Sequence, residues 1–279
     1  MALNLYATRD AVKARAGLDD TGDDDALDSI LRDVSREIEQ WTGRQFWAVT
    51  QTRYLTARQS DVLLLGAADL LAVTTLKTDD DGDRVYETTW AATDYDLEPY
   101  DAPLRSPPVP YGEIRTAPNG RYSFPSVARG VEIVGRWGYW DVLDTSSATL
   151  AEDLDASETT VDVSNAAVFA AGQVIEIDSE RLEISAATVN ADPTPDTLTV
   201  TRAVNGTTAA AHTSGAAIRV AVFPGITEAA IQQVSLLFRG QQAPLGVQGA
   251  PEYGQTIRGT GLHPFVKAKL QRFRIPRAG

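Results

Sequence analysis

The sequence predicts an α+β fold: a helical bundle packed on a small, mostly antiparallel β-sheet, with an inserted all-β module of barrel or sandwich type. Three observations lead there. Apolar residues recur at three- and four-residue spacing near both ends of the 279-residue chain. Short runs rich in β-formers fill residues 50–140, and the composition changes abruptly between about 147 and 221. With 43% hydrophobic residues, a chain of this length can build a substantial core.

In the first segment, the Thr8 hydroxyl is placed to cap a short helix that carries Val12 and Ala16 and ends at Gly17. A second, stronger helix starts at Asp23, Asp24 and Asp25, where negative charge favours a helix N-terminus. Leu27, Ile30, Leu31, Val34, Ile38 and Trp41 follow at helical period, and Gly43 closes it. Such a stripe reads as core and subunit packing, and the aspartates at 19, 20, 23, 24 and 25 as capping and solvation rather than a calcium site. Strands are expected at 51–55, 62–65, 73–77 and 85–88. Asp79-Asp80-Asp81-Gly82-Asp83 resembles an EF-hand loop, but with Gly82 as the sixth position the first ligand would be Lys77. An Asp-Gly hairpin turn explains the run instead. Prolines at 99, 103, 107, 108, 110 and 118 mark an exposed excursion, and 131–140 reads as a half-buried strand ending in aromatics.

The block 147–221 is rich in Ala, Thr, Asp and Val and sets three arginines, Arg181, Arg202 and Arg219, against eleven acids. Strand-like runs at 159–163, 173–177, 181–186, 197–201 and 216–220 alternate with turn signals at Asp178-Ser179, 190–195 and Asn205-Gly206. Helical texture returns after Pro224 with Ile226, Ala229, Ala230, Val234, Leu237 and Phe238, and Gly240 is expected to terminate it. The Gly/Pro-rich stretch 240–261 reads as mobile or ordered by a partner. Residues 262–274 read as a short basic helix with Phe265, Leu270 and Phe273 available for burial. The expected division is therefore 1–146 with 222–261 as the host domain, 147–221 as the insertion, and 262–279 as a basic docking segment.

Composition excludes several function classes. Without cysteine there is no disulfide, thiolate nucleophile, zinc ribbon or iron–sulfur cluster. The two histidines, His212 and His263, stand fifty-one positions apart without a carboxylate at metal-ligand spacing. No phosphate loop, nucleophile elbow or dinucleotide fingerprint is present, so no catalytic, cofactor or metal residue is expected and no enzyme. A net charge of −13 argues against gripping nucleic acid, whose backbone requires Lys and Arg. The charge is uneven, however: beyond Glu252 there is no acid, while Arg258, Lys267, Lys269, Arg272, Arg274 and Arg277 are basic. A basic end on an acidic body suits docking on an acidic partner, a neighbouring subunit included. No apolar run is long enough for a membrane span and the N-terminus lacks a secretory pattern, so a cytoplasmic location is expected.

The order of these parts resembles the head–tail connector (adaptor) proteins of tailed bacteriophages. The residues that carry the resemblance are Ile38-Glu39-Gln40-Trp41-Thr42-Gly43-Arg44-Gln45-Phe46 followed by Thr52-Arg53-Tyr54-Leu55, the late helix from Ile226 to Phe238, and the closing Val266-Lys267-Ala268-Lys269-Leu270-Gln271-Arg272-Phe273-Arg274. It covers roughly residues 5–145 and 222–275. The insertion, through the stretch from Thr197 to Ala216, is similar to a second recurring phage module, in which His212 has a structural role; typical connectors are shorter and lack it. The resemblance implies a structural virion protein of the neck, assembled in the host cytoplasm as a homo-oligomeric ring, commonly of twelve copies, through which DNA passes without sequence-specific binding. Its partners would be the portal protein on one side and a stopper or tail-completion protein on the other. The portal contact would fall on Phe265, Lys267, Lys269, Leu270, Arg272, Phe273, Arg274 and Arg277. The alternative is a tail or capsid-decorating protein whose β module binds host glycan or neighbouring virion proteins.

Overall fold

The computed structural model describes residues 2–118, 120–191, 193–242 and 261–275. The chain forms two compact units, Arg44–Asp141 and the combination of Met1–Gly43 with Val142–Gly279. The fold is mixed α+β, with four α-helices and three antiparallel sheets among the described residues.

In the first of these units the strands are β1 (Val49–Leu55), β2 (Val62–Leu64), β3 (Leu70–Thr78), β4 (Thr88–Trp90), β5 (Tyr95–Glu98), β6 (Glu113–Thr116) and β7 (Val131–Trp137). They make one sheet in the order β1-β7-β3-β4 and another in the order β2-β6-β5. Leu63, Leu70, Leu76, Ile114, Ile133 and Trp137 are fully buried, and the Trp90 ring stacks on Phe124 at 4.7 Å and on Tyr122 at 5.3 Å. At Gly135, in the central strand β7, an added Cβ would run into the Ala72 carbonyl of β3, so the two backbones approach only because glycine stands there.

Two expectations in this unit are corrected. The strand expected at 85–88 starts only at Thr88, and the Asp-Gly pair is part of a wide loop rather than a two-residue hairpin turn. The buried Asp79 carboxylate is the reason, because it accepts from the N–H groups of Gly82 at 2.6 Å and Arg84 at 3.0 Å and takes those donors from any ladder. The proline-rich excursion also contains β6, which pairs with β2 and β5 and buries Ile114; the prolines lie outside that short strand and leave its donors intact.

The second unit holds α1 (Arg9–Ala16), α2 (Asp24–Thr42), α3 (Ile226–Gln242) and α4 (Pro264–Leu270), the last followed by a 3-10 turn, Gln271–Phe273. Thr8 Oγ1 accepts from Ala11 N at 3.2 Å, and Gly17 and Gly43 end α1 and α2 with φ of 69° and 73°. The expected stripe is core: Leu27, Leu31, Val34 and Ile38 of α2 and Ile226, Ala230 and Val234 of α3 are inaccessible, Ile30 and Phe238 nearly so, and Trp41 and Leu237 half-buried. Helix α3 packs on α1, α2 and α4. Gly240, expected to end α3, lies inside it; glycine costs a helix only about 1 kcal/mol and stops one only by turning left-handed.

The same unit contains β8 (Val142–Thr149), β9 (Thr160–Val163), β10 (Val174–Ile177), β11 (Glu180–Thr188), β12 (Asp196–Thr201) and β13 (Ala217–Val222), in the antiparallel order β8-β13-β10-β11-β12-β9. Val161, Val163, Ile175, Ile177, Leu182, Leu198 and Ile218 form its core. No pair of named strands closes this sheet into a barrel. Its two edges meet at one bridge, Leu150 with Val163, flanked by Ala151 N to Asp162 O at 2.8 Å and Ser164 N to Thr149 O at 3.0 Å. Pairing with β13 brings in β8 from Val142, although its Asp144-Thr145-Ser146-Ser147 run shows no apolar alternation. The N-terminal segment then ties sheet to helix. Leu3 N donates to Glu183 at 2.6 Å, Asn4 and Asn205 exchange amide bonds at 2.8 and 3.0 Å, and Arg36 of α2 donates to Asn4 O at 3.0 Å.

Candidate docking surface

The C-terminal segment is divided by its own periodicity. Leu262, Val266, Leu270 and Phe273 recur every three or four residues and are buried in the chain's own fold. The segment is fixed at both ends: His263 N donates to Gln233 Oε1 of α3 at 2.9 Å, and Ile275 N donates to Thr42 O at the end of α2, also at 2.9 Å. Leu270 and Phe273, expected to be available to a partner, are therefore already committed to intramolecular packing. Phe265 is the opposite case, 76% exposed.

The same segment carries Lys267, half-buried, and Lys269, Arg272 and Arg274, exposed; none of the four is in an ion pair among the described residues. The Arg272 guanidinium lies 4.5 Å over the Phe273 ring and that of Arg274 5.2 Å over Trp41, so both are held in place by stacking. Burial pushes the Glu37 carboxyl up, against the Leu262 N–H and the Lys267 charge that stabilise its ionised form. Arg277 and Arg258, and the stretch 243–260 expected to be mobile, lie outside the described residues.

Sequence reasoning missed a second constellation, in the six-stranded sheet. Glu180 is 1% exposed and receives both Arg202 Nε and Nη2 at 2.7 Å, the N–H groups of Ala203 at 3.1 Å and Ala210 at 3.0 Å, and His212 Nε2 at 3.0 Å. Burial by itself would raise this carboxyl; the bonds from Arg202, Ala210, His212 and Ala203 outweigh it and hold it down to about 2. The other ring nitrogen of His212 meets Asp178 at 2.7 Å, so the ring clamps the β10–β11 turn to the segment leading to β13. Arg181 and Arg219 both pair with Glu176, which means that every arginine between 147 and 221 is paired with a carboxylate of the same stretch. The signal was present in the sequence as three arginines among eleven acids, but pairing partners 5 to 43 positions apart are not visible from spacing.

The loop between β3 and β4 brings carboxylate oxygens of Asp79, Asp81, Asp83 and Glu87 within 4.8 Å of one another. Oxygens of Asp79, Asp81 and Asp83 already accept backbone N–H groups at 2.6–3.2 Å, which is enough to form an acidic turn without an ion. Among the described residues, no helix is long and apolar enough to cross a membrane.

No family model matches this chain, and no curated protein does. Two solved structures are similar to it. One belongs to the neck of an empty GTA particle with C6 symmetry, 16% identical over 96% of this chain and 90% of that one, with a TM-score of 0.39. The other belongs to the neck of a native GTA particle with C12 symmetry, 17% identical over 100% and 97%, with a TM-score of 0.38. At these values the likeness carries no functional argument.

Proposed function

We propose that the chain is a structural, non-enzymatic subunit of a phage-type neck, a connector that forms a ring of twelve copies beneath the portal, joins head to tail through a stopper or tail-completion protein, and surrounds the DNA channel. The observation that carries this reading is the basic C-terminal segment with Phe265 exposed on α4, on a chain of net charge −13 whose sequence resembles the connectors. An exposed aromatic on a basic segment is the form of an anchor for an acidic, partly apolar partner surface. Phe265, Lys267 and Lys269 make the portal contact in this proposal; Leu270 and Phe273 support it from inside. The acidic body suits a channel wall that lets phosphate slide past.

The glycan-binding alternative has little to stand on in the sheet. Phe169 is the one aromatic residue between 147 and 221, and it is buried, so among the described residues the module offers no exposed ring to a sugar.

Cryo-electron microscopy of intact particles at the portal vertex tests the assignment. The chain traced in a ring directly below the portal is the expected result, and density for it on the tail tip or capsid surface would overturn the proposal. Phe265→Ser should weaken attachment to portal-bearing heads while shifting unfolding stability by less than about 0.5 kcal/mol. If attachment is unchanged in a co-sedimentation assay, α4 is not the portal contact.

A further inference from the structure

The two ends of α2 carry opposite charge that the chain itself compensates only in part. Before and at its first turn, Asp19, Asp20 and Asp25 are exposed, and no lysine or arginine side chain pairs with their carboxylates among the described residues. The nearest cations are largely taken: Lys13 pairs with Asp24 at 2.8 Å while also donating to the Asp20 carbonyl, and Arg9 pairs with Asp28 at 3.0 Å. At the other end stand Arg272 and Arg274, exposed, stacked and without a carboxylate partner. Nineteen residues of helix separate the two ends by about 28 Å, far too much for them to meet within one chain.

Local electrostatics explains part of this. Acids at a helix start and cations at its end each favour the α2 dipole. It does not explain Arg272, whose guanidinium would lie against a Cβ at Gly225, beside the start of α3, where a cation opposes that helix's dipole.

We infer that a second copy of this chain docks its Asp19–Asp20–Asp25 end on the Arg272–Arg274 end of the first, head to tail. The contact is heterologous: each copy offers one acidic end and one basic end, so each has two neighbours and the series closes when the rotation permits. An isologous antiparallel pair would also set each acidic end on a basic one, but it would stop at two copies; the ring reading selects the heterologous series. The inference rests on the ring reading above and deepens it by naming the surface between copies, distinct from the α4 face proposed for the portal.

The natural absence of cysteine makes the test clean. The full-length double variant D19C/R272C, oxidised at 50 mM salt, is expected to give a ladder of disulfide-linked oligomers on a non-reducing gel. Each single-cysteine variant should stop at dimer, and 1 M NaCl or the added change Arg274→Glu should suppress the ladder severalfold. A double variant that ladders no further than the two singles mixed, or one indifferent to both salt and Arg274→Glu, overturns the contact. Particle imaging separates this from the neck assignment: the chain found in the neck without a ladder refutes the head-to-tail surface alone, and a ladder from a chain found elsewhere on the particle refutes the neck alone.

Discussion

Glu180 and Asp69 are both buried carboxylates gripped by arginine, one in each unit, and the two units hold them in opposite ways. Glu180 receives Arg202 twice, two backbone N–H groups and His212, and the sum keeps it ionised, down to about 2. Asp69 receives Arg44 at Oδ1, with the more distant charge of Arg53 adding to the attraction, but its Oδ2 is buried without a hydrogen bond. Burial therefore prevails at Asp69 and pushes its carboxyl up, with Arg44 and Arg53 only partly compensating. The lesson is that one strong ion pair does not offset the desolvation of a carboxylate; filling most of its lone pairs does.

The surroundings differ in the same sense. The 44–141 unit fills its space with aromatics, Trp90 against Phe124 and Tyr122, and Trp137 under Arg53 at 4.5 Å. The six-stranded sheet has one aromatic residue between 147 and 221 and depends on small aliphatics and the Glu176, Glu180, Arg181 and Arg202 pairs. A charge network is thus expected to matter more in the second unit than in the first.

The largest effect expected from this contrast is that of Arg202→Ala. It leaves the Glu180 charge buried without its main partner and should cost about 3–5 kcal/mol in urea unfolding, with hydrogen exchange rising first in β10, β11 and β12. A loss under about 1 kcal/mol would mean that the backbone donors alone satisfy Glu180.

Acid should separate the units by sign. Glu180 has a folded pKa below its unfolded value of 4.5, so its contribution is full above that pH and is lost as the pH falls from about 4.5 to about 2. Asp69, raised above 3.8, works the other way: protonation favours the folded state, and its ionisation costs stability as the pH rises through the raised value. Hydrogen exchange followed between pH 6 and 2.5 should show protection falling in β10–β12 before β3 and β7, and Glu180→Gln should remove that difference.

The smallest effect expected is that of Asp69→Asn, which removes the poorly solvated charge and the ion pair with Arg44. A change within about 1 kcal/mol is expected, of either sign, against the several expected at Arg202. A loss as large as that of Arg202→Ala would show that the Asp69–Arg44 pair, despite its unfilled oxygen, holds its unit together.

The sequence by itself determined the elements whose cause is local. Thr8 and Gly17 bound α1, Gly43 ends α2, and the stripe from Leu27 to Ile38 is core, because caps and a 3.6-residue period act over a few residues of chain. The β texture of 50–140 was legible in the same way, as was the α+β class. Only tertiary structure decided the rest. The polar strand β8 exists because β13 pairs with it, and β4 begins late because Asp79 captures the intervening N–H groups. Gly240 stays helical within α3, against its local reading as a stop. The most consequential case is the basic C-terminal segment, where composition gave the charge and the apolar residues but not their allocation. Leu270 and Phe273 turned inward because α2 and α3 needed covering, and Phe265, one face away on the same short helix, was left to the solvent. Which side of a helix faces its own protein depends on what lies beside it, and here the neighbours are α3, tens of positions earlier, and the end of α2, more than two hundred positions earlier.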